Sequence, residues 1–139
     1  MPFETRWYLR NKVLYVKAIG AIQDIELQAL DEEINNMLDS ATSAKVHFLY
    51  DPSEQTAPPR LQALGAMTSP HHPRYGWFVM CSDQNKAVNL AGTYYSNNAN
   101  LRNQFFSNME DTLNFLCEVD PEVAALLAEQ DHSVKHKQR

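Results

Sequence analysis

Asp51 and Ser53, in the stretch KVHFLYDPSEQTAPPR, and Ser82 and Asp83, just after the run WFVMC, come nearest to a functional edge in this 139-residue chain. Each pair follows a short apolar run, Val46 to Tyr50 and Trp77 to Cys81, that reads as a strand covered on both faces. In parallel sheets, ligands gather beyond the carboxyl ends of the strands. The two loops, with Ala21 to Gln23 and Ser107, therefore form the expected ligand or partner edge. A carboxylate at a strand exit also has a plainer use, accepting loop N–H groups where the chain meets water. Pro52 biases Asp51 towards an extended conformation. The plainer role is the expectation: Asp51 ends the third strand, partly exposed, bonded to nearby N–H groups.

The remaining reactive residue types point to no catalytic set. Cys81 ends its strand beside Ser82 and Asp83, but no histidine is placed by sequence as its base, and free cysteine is mostly a core residue. Cys117 falls on the apolar side of a helix. His71 and His72 are adjacent, so their side chains diverge, and no cysteine or carboxylate lies at metal-ligand spacing. His47 lies inside an apolar strand and reads as a core histidine donating to a carbonyl. Four glycines leave little room for a phosphate cradle. Neither a metal nor a cofactor is expected.

The elements that position these residues follow from periodicity. Thr5 to Leu9 and Val13 to Ile19 alternate as strands around Arg10, Asn11 and Lys12, an antiparallel hairpin closed by Gly20. Leu27, Leu30, Ile34, Met37 and Leu38 make a helical stripe with Asp24 near its start. Pro59 opens a short helix carrying Leu61, Leu64 and Met67. TSPHHPRYG is a loop. Asp83 caps a helix with Ala87, Val88, Ala91, Tyr94 and Tyr95, and Arg102 to Phe106 is a last strand. Ser107 and Glu110 form a capping box for a helix bearing Leu113, Leu116 and Cys117. Asp120 and Pro121 restart one more helix. The order β-β-α-β-α-β-α-β-α-α gives a single α/β domain: a mixed, mostly parallel five-stranded sheet with an N-terminal antiparallel hairpin and helical crossovers. Leu14, Val16, Val46, Phe48, Phe78, Val79, Leu113 and Leu116 are the expected core.

A net charge of −5 and a pI near 5.4 supply no basic face for nucleic acid or an anionic membrane surface. Two distant cysteines fit a reducing compartment. The N-terminus MPFETRWYLR lacks the apolar core of a signal peptide, so the expectation is a cytoplasmic protein. If the crossovers keep the helices mainly on one sheet face, the other stays open, which predicts a homodimer with Trp7 and Tyr15 near the contact.

Taken together, RWYLRNKVLYVKAIG, VHFLYDPSE, GWFVMCSDQNKAVNLAG and RNQFFSNMEDTLNFL resemble the STAS-like family of small standalone proteins. These have the anti-sigma-factor-antagonist (SpoIIAA-like) fold and are grouped in some descriptions with SEC14-like domains. The similarity spans Trp7 to Glu118, within a domain over residues 1–130 followed by a polar tail over 131–139. It implies a non-enzymatic regulatory or protein-interaction module with a regulatory protein partner. In the antagonists, the strand corresponding to Val46 to Tyr50 leads into an Asp-Ser-Ser/Thr-Gly motif, whose serine a partner kinase phosphorylates. Asp51, Pro52, Ser53 and the following residues depart from that motif, so the resemblance implies no phosphoswitch on Ser53 or Thr56. The SEC14 side implies an alternative, a small-molecule or lipid-binding domain using the loops at the strand C-terminal edge.

Overall fold

A computed structural model of the chain describes residues 2–137, with side chains described through residue 130. The elements are β1 (Phe3–Leu9), β2 (Val13–Ala21), α1 (Asp24–Ser40), β3 (Val46–Ala57), α2 (Leu61–Gly65), a 3₁₀ turn (Ser69–His71), β4 (Tyr75–Met80), α3 (Lys86–Asn98), β5 (Asn103–Phe105), α4 (Met109–Val119) and α5 (Pro121–Lys137). The five strands lie side by side in chain order. β1 and β2 are antiparallel, and every later neighbour is parallel. This is the expected α/β architecture. The hairpin turn places Asn11 at φ 65, a left-handed conformation that asparagine tolerates. The boundary between a domain ending at residue 130 and a tail beyond it falls at the limit of the described side chains.

Two apolar layers sandwich the sheet. On one face Leu14, Val16, Phe48, Phe78 and Met80 meet α1, α2 and α3 through Leu27, Ile34, Leu64, Val88 and Ala91. On the other, Val13, Tyr15, Leu49 and Val79 meet Leu116 of α4 and Val123 of α5. The expected open face is therefore covered, because the chain has no strand left to form after β5 and α4 folds back beneath the sheet. Trp7 pairs with Leu14 and packs on the first layer, whereas Tyr15 is buried in the second, so the two do not share a contact surface. Seven of the eight expected core residues are buried, and Leu113 is half-buried at the margin of α4.

Several local expectations are corrected. Gly20 does not end β2; at φ 73 it sits between register shifts that continue the strand to Ala21. β3 does not stop at Tyr50. It runs on through Pro52 to Ala57, and two register shifts against β2 absorb the extra residues of β3. Such bulges are where a strand accepts proline. Beyond Tyr50 this ribbon has lost β4 as a neighbour, since pairing there ends at Tyr50–Met80. α2 starts at Leu61, which is exposed, after Arg60 rather than at Pro59. The loop TSPHHPRYG contains the 3₁₀ turn and the first residues of β4. Asn85, not Asp83, caps α3, accepting from the Val88 N–H at 3.2 Å. Asn108, not Ser107, caps α4, accepting from the Asp111 N–H at 2.8 Å.

Candidate functional site

At the strand C-terminal edge, Asp51 lies within β3 rather than at its end. The Tyr15 hydroxyl donates to its carboxylate at 2.6 Å, and the Ser53 N–H donates at 3.0 Å. Only the second is the expected loop-type bond; the first reaches across to β2. Burial alone would raise the Asp51 pKa, but the bonds from Tyr15 and Ser53, with the Lys17 charge, hold it below the usual value. Arg6 lies over the Tyr15 ring, 4.5 Å from its centroid. Cys81 is buried beside the same carboxylate. Its thiol is pushed up to about 12 by burial first and by the Asp51 charge second, which leaves it without nucleophilic character at neutral pH. The structure thus joins Asp51 to Tyr15 and Cys81, not to Ser82 or Asp83. Ser53 is exposed, Ser82 is buried, and Asp83 is exposed with its carbonyl accepting from Asn89 Nδ2 at 2.8 Å.

A crevice opens beneath the same edge, between the sheet and α1, α2 and α3. It holds about 50 Å³. Phe48, Phe78, Met80, Leu27, Val88 and Tyr95 are among its walls, with Phe3 and Pro59 towards the β1 and α2 side. Its polar groups are uncharged and largely occupied. The Tyr50 hydroxyl donates to Gln55 Oε1 at 2.6 Å, and Gln55 Nε2 donates to the Ala57 carbonyl at 3.1 Å. Tyr75 and Tyr95 share a hydroxyl–hydroxyl bond at 2.9 Å. Burial raises the pKa values of Tyr50, Tyr75 and Tyr95, so all three are neutral hydroxyls. Behind the walls the aromatics pack on one another: Phe48 stacks on Tyr75 at 5.6 Å, and Phe78 lies tilted against Tyr95 at 5.0 Å.

At the opposite edge, where the parallel strands begin, the structure builds a buried polar cluster that the sequence reading did not anticipate. Lys12 of the hairpin turn, only 5% exposed, lies 2.7 Å from Asp120 and 3.2 Å from Glu122. His47 Nε2 lies 2.8 Å from the same Asp120 oxygen, and His47 Nδ1 accepts the Trp77 N–H at 3.1 Å. The partner of this core histidine is thus a carboxylate, not a carbonyl. Because Nδ1 accepts, the proton is on Nε2, pointing to Asp120. The Trp77 amide is free for this bond because β4 carries an extra residue there, opposite the step from Val46 to Phe48. His72, in the loop before β4, pairs with Asp39 at 2.7 Å. No group of three or more metal-ligating side chains gathers among the described residues.

No family model matches the chain. No curated protein matches it either. Among solved structures, an uncharacterized protein of the DUF3478 family from Shewanella loihica PV-4, with a SpoIIAA-like fold, superposes with a TM-score of 0.58. The match covers 83% of this chain and 92% of that one at 17% identity. The fold is SpoIIAA-like. In this SpoIIAA-like domain, Ser53 lies within extended β3, ahead of α2, and not at a helix N-terminus. Among the described residues, no helix is long and apolar enough to cross a membrane.

Proposed function

We propose that this chain is a non-enzymatic regulatory module of SpoIIAA-like fold whose signal is a small uncharged molecule bound beneath α1, α2 and α3. The crevice of about 50 Å³ carries the reading. Interiors are otherwise close-packed, and an apolar cavity of roughly 150 Å³ is enough to hold benzene. A space one-third that size suits a small apolar group, not the acyl chain of a lipid. With no charged side chain on its wall, a carboxylate or ammonium buried there would lack a counter-ion. Ser53 lies within a strand, without the helix N-terminus that would receive a phosphoryl group, which supports a ligand as the signal.

A thermal-shift series tests this with dimethyl sulfide and propan-2-ol against acetate and ethylammonium. At ten times its Kd a neutral binder adds about 1.4 kcal/mol to stability and raises Tm by several degrees. The charged analogues leave Tm unchanged. A series in which no neutral probe raises Tm at millimolar concentration overturns the reading.

A second reading, a homodimer or a complex with a regulatory protein, rests on a different observation. Ile25, Leu61 and Leu90 are 72%, 51% and 73% exposed, each near the start of a helix on the strand C-terminal side. Each stands on a helix whose inner face lines the crevice, through Leu27, Leu64 and Val88. A partner covering these helix starts would pack on the outside of the helices that wall the ligand site.

A further inference from the structure

We propose that the molecule held in the crevice is a small neutral hydrogen-bond acceptor of the ketone type, whose oxygen takes the Tyr95 hydroxyl proton; this rests on the ligand reading above. The protons of the wall decide the class. Burial keeps Tyr75 and Tyr95 protonated, so each hydroxyl carries one donor hydrogen. Between them they make one hydrogen bond, at 2.9 Å, and among the described residues neither donates to any other group. One hydroxyl proton is therefore left over, whichever ring donates. Tyr95, 6% exposed, lines the crevice, whereas Tyr75 lies behind it, stacked on Phe48. Only the Tyr95 proton can turn into the space, with Tyr75 donating to Tyr95 from behind. The carboxylate whose field reaches Tyr95 is Asp31, and it makes no bond to that hydroxyl. It accepts instead from the Thr68 N–H at 3.0 Å, the Thr68 hydroxyl at 2.9 Å and the Ser69 N–H at 2.8 Å.

Gln55, 5% exposed and on the same wall, repeats the pattern. Its Oε1 accepts the Tyr50 proton at 2.6 Å, and its Nε2 donates one hydrogen to the Ala57 carbonyl at 3.1 Å. Those two partners fix the orientation of the amide, and its second N–H has no acceptor among the described residues. The lining side chains thus carry two spare donor hydrogens, from Tyr95 and Gln55. Their own oxygens are phenolic or already bonded. A buried donor without a partner keeps its full desolvation cost, which an acceptor oxygen removes and a hydrocarbon does not. Sites built this way discriminate by the group that satisfies them more than by shape. The apolar remainder of the wall, with Phe48, Phe78, Met80 and Val88, suits the alkyl part of such a molecule.

NMR titration of the full chain with acetone and with isobutene, the same shape with a methylene in place of the oxygen, tests the assignment. The readout is the ratio of the two dissociation constants in the wild type and in Tyr95→Phe, a comparison that cancels the different hydration of the probes. Loss of the donor should weaken acetone relative to isobutene about tenfold, the size of one neutral hydrogen bond. Tyr94→Phe, which removes an exposed hydroxyl from the same helix, should leave the ratio at its wild-type value. If Tyr95→Phe does not fold, the carbonyl carbon resonance of acetone bound to the wild type decides. It must lie downfield of acetone in an alkane, as donation to the oxygen requires. A ratio unchanged in Tyr95→Phe, an alkane-like carbonyl resonance, or binding of isobutene without acetone would each overturn the acceptor assignment and leave the crevice a ligand site. Failure of both probes to bind at millimolar concentration overturns the crevice reading and the assignment together.

Discussion

Asp51 and His47 sit four positions apart in β3, yet they differ in how much the chain's own letters disclose. Asp51 followed by a proline reads as a polar stop, and its Ser53 bond was foreseeable from local turn chemistry. Its stronger partner, Tyr15, comes from a strand 36 residues away, and only the register of β2 on β3 brings it there. Asp51→Asn keeps an acceptor but loses the charge, and should cost about 1 kcal/mol in urea unfolding without altering binding of a neutral probe. Weakened probe binding at unchanged stability would instead give Asp51 a functional role. Gly76 is the sharper case. Nothing in the sequence marks it as different from the other glycines, because its demand for space comes from the His47 ring wedged against it. Gly76→Ala should cost about 2 kcal/mol through forced displacement of that ring, read as a lower denaturation midpoint with unchanged slope.

Elements were legible where periodicity alone decides them, and their ends were not. The α1 stripe and the apolar centres of β2, β3 and β4 are local patterns. The extension of β3 to Ala57 depends on bulges against β2, and the cap of α4 shifts by one residue because Asn108 competes with Ser107 for the same role. The joint between α4 and α5 was legible as a helix restart at Asp120 and Pro121, but not as a partner of Lys12 and His47. Asp120→Ala strips the principal counter-charge from a buried lysine and should cost about 3 kcal/mol by urea denaturation. Burial opposes the Asp120 charge, but bonds from Lys12 and His47 outweigh it and hold its pKa below normal, so its contribution persists down to the usual carboxylate range and disappears below it. His47 acts in a higher window. Its folded pKa lies below the ordinary 6.5, so the unfolded chain takes up its proton first as pH falls. That part of the stability is intact above about pH 6.5 and declines beneath it, by at most about 1.4 kcal/mol per pH unit. Urea midpoints from pH 8 to 5 should show the decline in the wild type and its loss in His47→Asn.

For the molecule as a whole, the strand order follows from the alternation of strands and helices, but the closure of both sheet faces does not. Three crossovers place α1, α2 and α3 on one face, and the tail of the fold decides the other. With α4 and α5 over the second face, an unpaired sheet surface no longer argues for a dimer. The argument moves to the rim where Ile25, Leu61 and Leu90 are exposed near the helix starts. Single exposed apolar residues are ordinary on protein surfaces, so position carries the weight here: all three stand near the starts of the helices whose inner faces wall the crevice. If a second copy covers this rim, light scattering at tens of micromolar should give twice the 15.9 kDa chain mass. The triple change Ile25→Ser, Leu61→Ser and Leu90→Ser should then return the monomer mass while moving stability by only about 0.5 kcal/mol per site, as exposed positions do. A wild type that stays monomeric at that concentration removes the second copy, and leaves the rim to a different protein or to bare solvent around the ligand site.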